Sequence, residues 1–572
     1  MKPNSLKSIT PRILVLDSHS NASLAVLQSL GYAGYSTTLA GACFDPISGS
    51  SKYARSFLLY PDPLKDKKLF QSWIQDIEEK NSFDFVIPVT DSTIYPLLEM
   101  ANNNETRYLI PPKNSFEFFF NKKMTLSLAK KLRIPIPETW SITDPDFQIN
   151  TLTNYPYFIK PIRSKIWIEK KGFNLSAKLV RTKNELTKYI LEMKKYGDLI
   201  IQEYSGGTGI GVEVLCEKGE VLVFFGHRRV HEYPLTGGGS TYRVSVKVPE
   251  ILLEYTKELV KSADWNGPAM VEFKENGSNY SLMEVNGRFW GSLPLSIRSG
   301  INFPLFYLEL VQGKKTNFKQ TYKVGLYARR VKSDIQWFKD NLRANKNDRF
   351  LLTRPVAKSL LEWMRIFTGK DRWDHAIFSD LGPIISEIKI VFLNEINSIK
   401  NKILKSFVLK SAKKKSLKIF KNNIPKNILV VCHGNICRSP FVEHYLKMKL
   451  IKEKAYEIKS CGFFPKDDRN TPEDFINIAQ KFGIDLSDHR SKVLNNDLIN
   501  WADCILIMDY KNWNYFGLNF YKARNKIVWL GAWGRKIEIN DPYGKNQEEM
   551  KLILEDLESA CNGFTQNLIG GH

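Results

Sequence analysis

Nowhere in the 572 residues is there a run of about 18 consecutive apolar residues, the length a helix needs to cross a bilayer. Cysteine is sparse: seven in all, an odd number without regular spacing, which excludes a disulfide scaffold of the secreted type. The opening stretch MKPNSLKSITPR lacks the apolar core of a signal peptide. Together these absences point to a reducing cytoplasm. Acidic residues are missing from one place in particular. Between Lys400 and Lys426 there are ten lysines and no Asp or Glu. That stretch holds nearly half of the net charge of +23, so the excess is a local basic segment and not a chain-wide nucleic-acid surface. No base-reading motif accompanies the lysines, and no nucleic-acid partner is expected.

What is present is the composition of an ordinary globular chain, 43% hydrophobic and 25% charged, long enough for three or four domains. An apolar run at Arg12 to Asp17 precedes a helical pattern at Ala22 to Leu30, then strand-like Tyr35 to Leu39. Phe83 to Pro88 and the helical Tyr95 to Ala101 repeat the alternation. Strand and helix alternating at this spacing predict a parallel, doubly wound sheet. After Asn121 a helix ends before Ile134-Pro135-Ile136-Pro137, and strands with glycine-rich turns continue to about residue 320. Residues 331–384 are mixed and aromatic and carry no chemical signature. Phe392, Ile396, Ile399, Ile403 and Phe407 then mark one face of a helix ringed by lysines. Such a helix either packs on a neighbouring domain or makes peripheral contact with an anionic membrane through residues 392–426.

The strongest motif follows. Ile428 to Val431 reads as a buried strand running into Cys432-His433-Gly434-Asn435-Ile436-Cys437-Arg438-Ser439-Pro440, with a helical pattern behind it. A strand, a Cys-x5-Arg loop and a helix N-terminus cradle one anion through main-chain N–H groups. The arginine completes the grip, and the same positive potential favours a thiolate nucleophile. These residues resemble the low-molecular-weight protein tyrosine phosphatases over 427 to about 566, with matches at Ser460-Cys461-Gly462, Leu486 to Arg490 and Asn540-Asp541-Pro542-Tyr543. The resemblance implies Cys432 as nucleophile, Arg438 as phosphoryl binder and Asp541 as general acid, then base. It implies Tyr543 as a wall for the substrate ring. Asn435, Ser439, Ser460 and His489 would hold the loop, with His433, Gly434 and Ile436 forming it, and Cys437 could trap an oxidised Cys432. No cofactor is implied. Arsenate reductases share the loop, but residues 485–500 offer no shuttling cysteine.

A second constellation lies upstream: Lys122 opening a helix, Lys160 in FIKP, Glu272 in VEFK, and Glu284, Asn286 and Arg288 in EVNGR. Two lysines can neutralise ATP phosphates, and carboxylate and amide oxygens can hold the bridging metal ions. This set resembles the ATP-grasp superfamily, in its carbamoyl-phosphate-synthase-like branch, over residues 10 to 320. The resemblance implies ATP as co-substrate and Mg2+ (or Mn2+) held by Glu272, Glu284 and Asn286. Lys122, Lys160 and Arg288 would meet the phosphates, and Glu203 and Tyr204 would lie beside the adenine; Glu213 is a candidate for the ribose. Two positions depart from the pattern: Asn121 stands for a common Asp, and Arg133 for a Gly. Arg228, Arg229, His231 and Glu232 in HRRVHEYP are read as an acceptor side. Ser18 to Asn21 either touch a carboxylate substrate or cap the following helix.

The expected fold is an α/β multidomain chain. A Rossmann-like pre-ATP-grasp domain (1–110), an ATP-grasp domain (111–330) and its extension (331–384) come first. A basic helical linker (385–426) leads to a phosphatase domain with a four-stranded parallel sheet (427–572). The expected function is a bifunctional enzyme joining a carboxylate–amine ligase to a tyrosine phosphatase. Its partners would be a small carboxylate, an amine and a tyrosine-phosphorylated protein, the last by resemblance an exopolysaccharide-related tyrosine kinase. The alternative reading keeps the phosphatase and makes the ATP-binding half regulatory.

Overall fold

The computed structural model describes residues 10–570 apart from 81, 101–106, 315–317, 319, 423 and 454. The stretch 1–9, the helix end expected at Ala101 and the side chain of Lys421 lie outside the described residues. The chain divides into two compact units, Met1–Phe392 and Leu393–His572.

The first unit opens with a parallel sheet in the order Phe57–Leu59, Ser36–Gly41, Arg12–Val15, Phe85–Ile87. Parallel neighbours need crossover connections, supplied here by helices such as Asn21–Tyr32 and Lys67–Glu79. Ser20 starts the first of these, its hydroxyl accepting the Ala22 N–H at 3.3 Å. Ser20 is thus a cap, and Asn21 binds the Gly291 carbonyl at 2.7 Å. The strand Phe57–Leu59 and the helix Lys67–Glu79 were not expected from sequence, although Phe70, Ile74 and Ile77 mark one buried face of that helix.

An antiparallel sheet follows in the order Thr139–Ser141, Leu199–Glu203, Tyr157–Pro161, Lys178–Val180. Before it runs the helix Lys122–Lys131. Asn121 caps it by accepting from the N–H groups of Lys123 and Met124, so this amide does the work of the commoner aspartate. Arg133 adopts φ 58°, the left-handed conformation that a glycine would occupy without strain.

The largest sheet has seven strands, with Asn279–Asn286, Gly267–Asn276, Thr208–Glu217 and Glu220–Tyr233 forming its antiparallel heart. Residues 331–384 complete it. Asp371–Trp373 is its last strand, pairing parallel to Tyr327–Arg329. Helices Val331–Arg343 and Val356–Met364 bring Asp334 and Glu362 to the buried His231, at 2.8 and 2.9 Å.

The second unit carries a parallel sheet in the order Glu457–Gly462, Asn427–Cys432, Cys504–Ile507, Ile527–Trp529. All four strands bury apolar residues on both faces, as a sheet covered by helices must. The helix Gly382–Asn422 crosses from the first unit into the second. Among the described residues, no helix is long and apolar enough to cross a membrane.

Candidate active sites

In the second unit the strand Asn427–Cys432 ends on a buried cysteine, and the chain turns tightly into the helix Arg438–Lys449. Asn435 makes the turn possible with φ 51°, which asparagine tolerates better than most residues. Its N–H donates to Cys432 Sγ at 3.2 Å, and Ser439 Oγ lies 3.0 Å from the same sulfur. The Asn435 amide ties the loop down. It donates to Ser439 Oγ at 2.9 Å and Ser460 Oγ at 2.8 Å, and accepts the Lys492 N–H at 2.8 Å. His489 Nε2–H donates to the Asn435 carbonyl at 2.8 Å, and desolvation lowers the pKa of this imidazole. Gly462 has no room for a side chain: a Cβ there would stand 2.7 Å from Asn435 N and 2.8 Å from the His433 carbonyl. The Ser-x-Gly spacing thus places a hydroxyl on the loop and removes an obstacle two residues later.

Arg438 is buried. Its guanidinium donates to Asp509 at 2.6 Å and to the Ile539 carbonyl at 3.1 Å, and pairs with Asp541 at 2.9 Å. Asp541 is half-exposed and Tyr543 is exposed, both on the solvent side of the loop. His433 meets Phe463 and Phe464 edge-on, and Ile436 packs against the core. Arg469 reaches the Gly434 carbonyl. Burial pushes the thiols of Cys437, Cys461 and Cys504 up, so all three rest as protonated thiols; Cys461 and Cys504 are small hydrophobes of the core. Two residues here were given no role from sequence. Asp509 ends the motif ILIMD and was visible, whereas Arg469 had no local signal.

In the first unit a cavity of about 420 Å³ lies between the antiparallel sheets. Lys122, Lys160, Tyr204, Arg229, Glu272, Glu284, Asn286 and Arg288 all line it. Glu272 and Glu284 sit directly opposite each other on adjacent strands, on one face. The Asn286 amide lies 3.2 Å from the first and 3.4 Å from the second. Arg288 donates to Asn286 Oδ1 at 2.9 Å and to Asp91 at 3.0 Å. Lys122 stands 4.0 Å from Glu284. Lys160 donates to Gln202 at 2.7 Å, and desolvation pulls its ammonium down to about 8. Burial pushes Glu272 up. For Glu284 burial acts the same way, but Lys122 and Lys160 outweigh it and hold the carboxyl below its usual range.

The expected acceptor residues are brought together only in part: Arg229 and Glu232 line the cavity, Arg228 and His231 do not. Arg229 faces the cavity and pairs with Glu272 at 2.5 Å. Arg228, its strand neighbour, points to the opposite face and pairs with Glu275 at 2.7 Å. His231 should return to the cavity face, but the register shifts between Arg229 and His231. This bulge turns the imidazole away, to stack on Trp337 with centroids 3.4 Å apart. A second shift then returns Glu232 to the cavity, where it binds Lys274 at 3.0 Å. Glu203 is likewise off the cavity lining, because strand alternation sets it opposite Gln202, which reaches Lys160. Glu213 is buried against His227 at 2.5 Å. Lys274, on the cavity wall, and Asp91, which holds Arg288, were given no role from sequence.

Two family models match the chain. Residues 427–570 match low molecular weight phosphotyrosine protein phosphatase, and residues 195–333 match ATP-grasp in the biosynthetic pathway with Ter operon. The probable low molecular weight protein-tyrosine-phosphatase AmsI of Erwinia amylovora is 33% identical over 142 residues, 25% of this chain and 96% of that protein. The low molecular weight protein-tyrosine-phosphatase Ptp of Acinetobacter johnsonii is 36% identical over 133 residues, 23% of this chain and 91% of its own. Among solved structures, the L-amino acid ligase of Bacillus licheniformis aligns at 14% identity and TM-score 0.42, covering 56% of this chain and 78% of that one.

Proposed function

Because the chain belongs, through residues 427–570, to the low molecular weight phosphotyrosine protein phosphatase family and carries an ATP-grasp domain upstream, we propose that it is a phosphatase and a carboxylate–amine ligase in one polypeptide. In the phosphatase, Cys432 Sγ attacks the phosphorus of a phosphotyrosine. The S–P bond forms as the P–O bond to the phenol breaks, and Asp541 gives its proton to the leaving oxygen. Asp541 then takes a proton from water, which attacks phosphorus and frees phosphate and the thiolate. Arg438 binds the phosphoryl oxygens in both steps. Tyr543, exposed beside the loop, flanks the substrate ring. The substrate is a tyrosine-phosphorylated protein.

In the ligase, the γ-phosphoryl group of ATP passes to a carboxylate, giving an acyl phosphate and ADP. An amine then attacks the acyl carbon and phosphate leaves. The observation that carries this reading is the convergence of Lys122, Lys160, Glu272, Glu284, Asn286 and Arg288 on one cavity. Two facing carboxylates and the Asn286 amide, whose Oδ1 accepts from Arg288 in this structure, would hold a hard divalent cation, Mg2+ or Mn2+. Bound there, the ion supplies positive charge to the ATP phosphates. Lys122 and Lys160 add to it, Arg288 steadies the group in transfer, and Tyr204 lies at the adenine end. The test is ATP-dependent hydroxamate formation when hydroxylamine replaces the amine across a carboxylate panel. ADP release coupled to hydroxamate is expected; ADP release without it would sink the acyl-phosphate route.

The lowered pKa of Lys160 gives a pH signature. Below about 8 the side chain is a cation in the free protein, and above it the side chain is neutral. ATP favours the cation, so its affinity is expected to fall as pH rises past 8. The loss should be up to about tenfold per pH unit until the ATP-bound pKa is reached. Equilibrium nucleotide binding between about pH 7 and pH 9.5 measures this, and a flat profile would remove Lys160 from the phosphate site.

A further inference from the structure

The helix Gly382–Asn422 presents, within the second unit, a face that neither site uses. Its inner side is taken up by packing. Ala412 and Ser416 are buried, Val408 and Leu409 lie against the apolar core, and Ser416 Oγ accepts the Trp529 N–H at 3.0 Å. Lys405, on the same side, pairs with Glu538 at 2.7 Å. The outer side is apolar and open: Ile396, Ile399, Ile403 and Phe407 are 43, 56, 52 and 68% exposed. Single exposed hydrophobes are ordinary, but a file of them on one helix face marks an interaction surface.

The spacing of three, four and four matters. Eleven residues make almost three complete turns, so the direction of the file drifts by only about 20° from Ile396 to Phe407. The stripe therefore runs nearly straight along the helix, as contact with a plane requires. Lys400 and Lys410 flank it, and Lys414 and Lys418 extend its line as exposed cations. Among the described residues no carboxylate forms an ion pair with any of these four, and no acid occurs between Lys400 and Lys426. A second copy on this face would bring two lysine files together, with Glu395 the one acid per helix between residues 393 and 426 to set against them. Nucleic acid would satisfy the lysines and leave the isoleucines in water.

We propose that this face docks on an anionic phospholipid bilayer, with Ile396, Ile399, Ile403 and Phe407 at the acyl boundary and the lysines against headgroup phosphates. The docked helix tethers the phosphatase unit to the membrane surface, where tyrosine-phosphorylated membrane proteins are its nearest substrates.

The test is cosedimentation of the full chain with vesicles of phosphatidylcholine alone and of phosphatidylcholine mixed with phosphatidylglycerol. Binding is expected only to the mixed vesicles and should weaken with salt. The Ile396→Asp/Phe407→Asp variant should lower it by on the order of tenfold or more. The Lys400→Glu/Lys410→Glu/Lys414→Glu variant should lower it as well. Unchanged p-nitrophenyl phosphate turnover in both variants shows that the unit is folded. Four results would overturn the proposal: no cosedimentation; equal binding to neutral vesicles; loss with the lysine variant but not the apolar one, which is simple polyanion attraction; or a dimer that Ile396→Asp/Phe407→Asp breaks without any vesicle binding.

Discussion

Exchange of Cys432 for Ser is expected to lower phosphotyrosine hydrolysis by on the order of 10⁴-fold or more, while ADP release by the first unit continues. The reason lies in one atom. A serine hydroxyl is not ionised near neutral pH and is a far weaker nucleophile than a thiolate. Everything around it stays satisfied, because a serine Oγ can still accept the Asn435 N–H and still meet Ser439. The variant should therefore fold and melt like the parent and still bind inorganic phosphate through Arg438 and the loop N–H groups. Hydrolysis of p-nitrophenyl phosphate and of a phosphotyrosine peptide measures the loss. Residual activity near the parent level would assign the chemistry to another group and break the family mechanism for this chain. Persistent ADP release also separates the two activities, since each site is built within its own unit.

The second large effect is expected at Lys160. Lys160→Met keeps the length and removes the ammonium, and should lower carboxylate-dependent ADP release by about 10²–10³-fold. Its effect on folding should be small, because among the described residues the ammonium donates one bond, to Gln202, and makes no direct ion pair, and its charge is already disfavoured by desolvation. This contrast is informative. A residue that only held the cleft together would lose stability in step with activity. Thermal melting alongside an ADP-coupled assay gives both numbers on one sample. If the variant melts well below the parent and its ADP release falls only in proportion, Lys160 is structural. If melting is unchanged and turnover is lost, the ammonium serves the phosphates.

Much of both sites was legible because their chemistry is local in the chain. Cys432, Asn435, Arg438 and Ser439 belong to one turn, and their spacing alone dictates a cradle at a helix N-terminus. Glu272, Glu284 and Asn286 lie on two consecutive strands, so their short separation predicts that they meet. What stayed hidden depends on distant chain segments. Arg438 is aimed by Asp509, Arg288 by Asp91, and Gly434 is braced by Arg469; each partner comes from another element. Residues 331–384 show no motif, yet Asp334, Glu362 and Asp371 are the acids that His231 and Arg329 need once buried.

HRRVHEYP marks the limit most clearly. By strand alternation Arg229 and His231 share a face, and sequence alone placed both at the acceptor side. Register shifts on both sides of His231 turn it onto Trp337 and leave Glu232 on the cavity. The sequence by itself determined the two chemistries and the turns and hairpin that hold their reacting groups, because these follow from neighbours in the chain. Only the tertiary structure decided which polar side chains complete each site. A bulge, a buried ion pair and an exposed helix face each depend on what distant segments press against them.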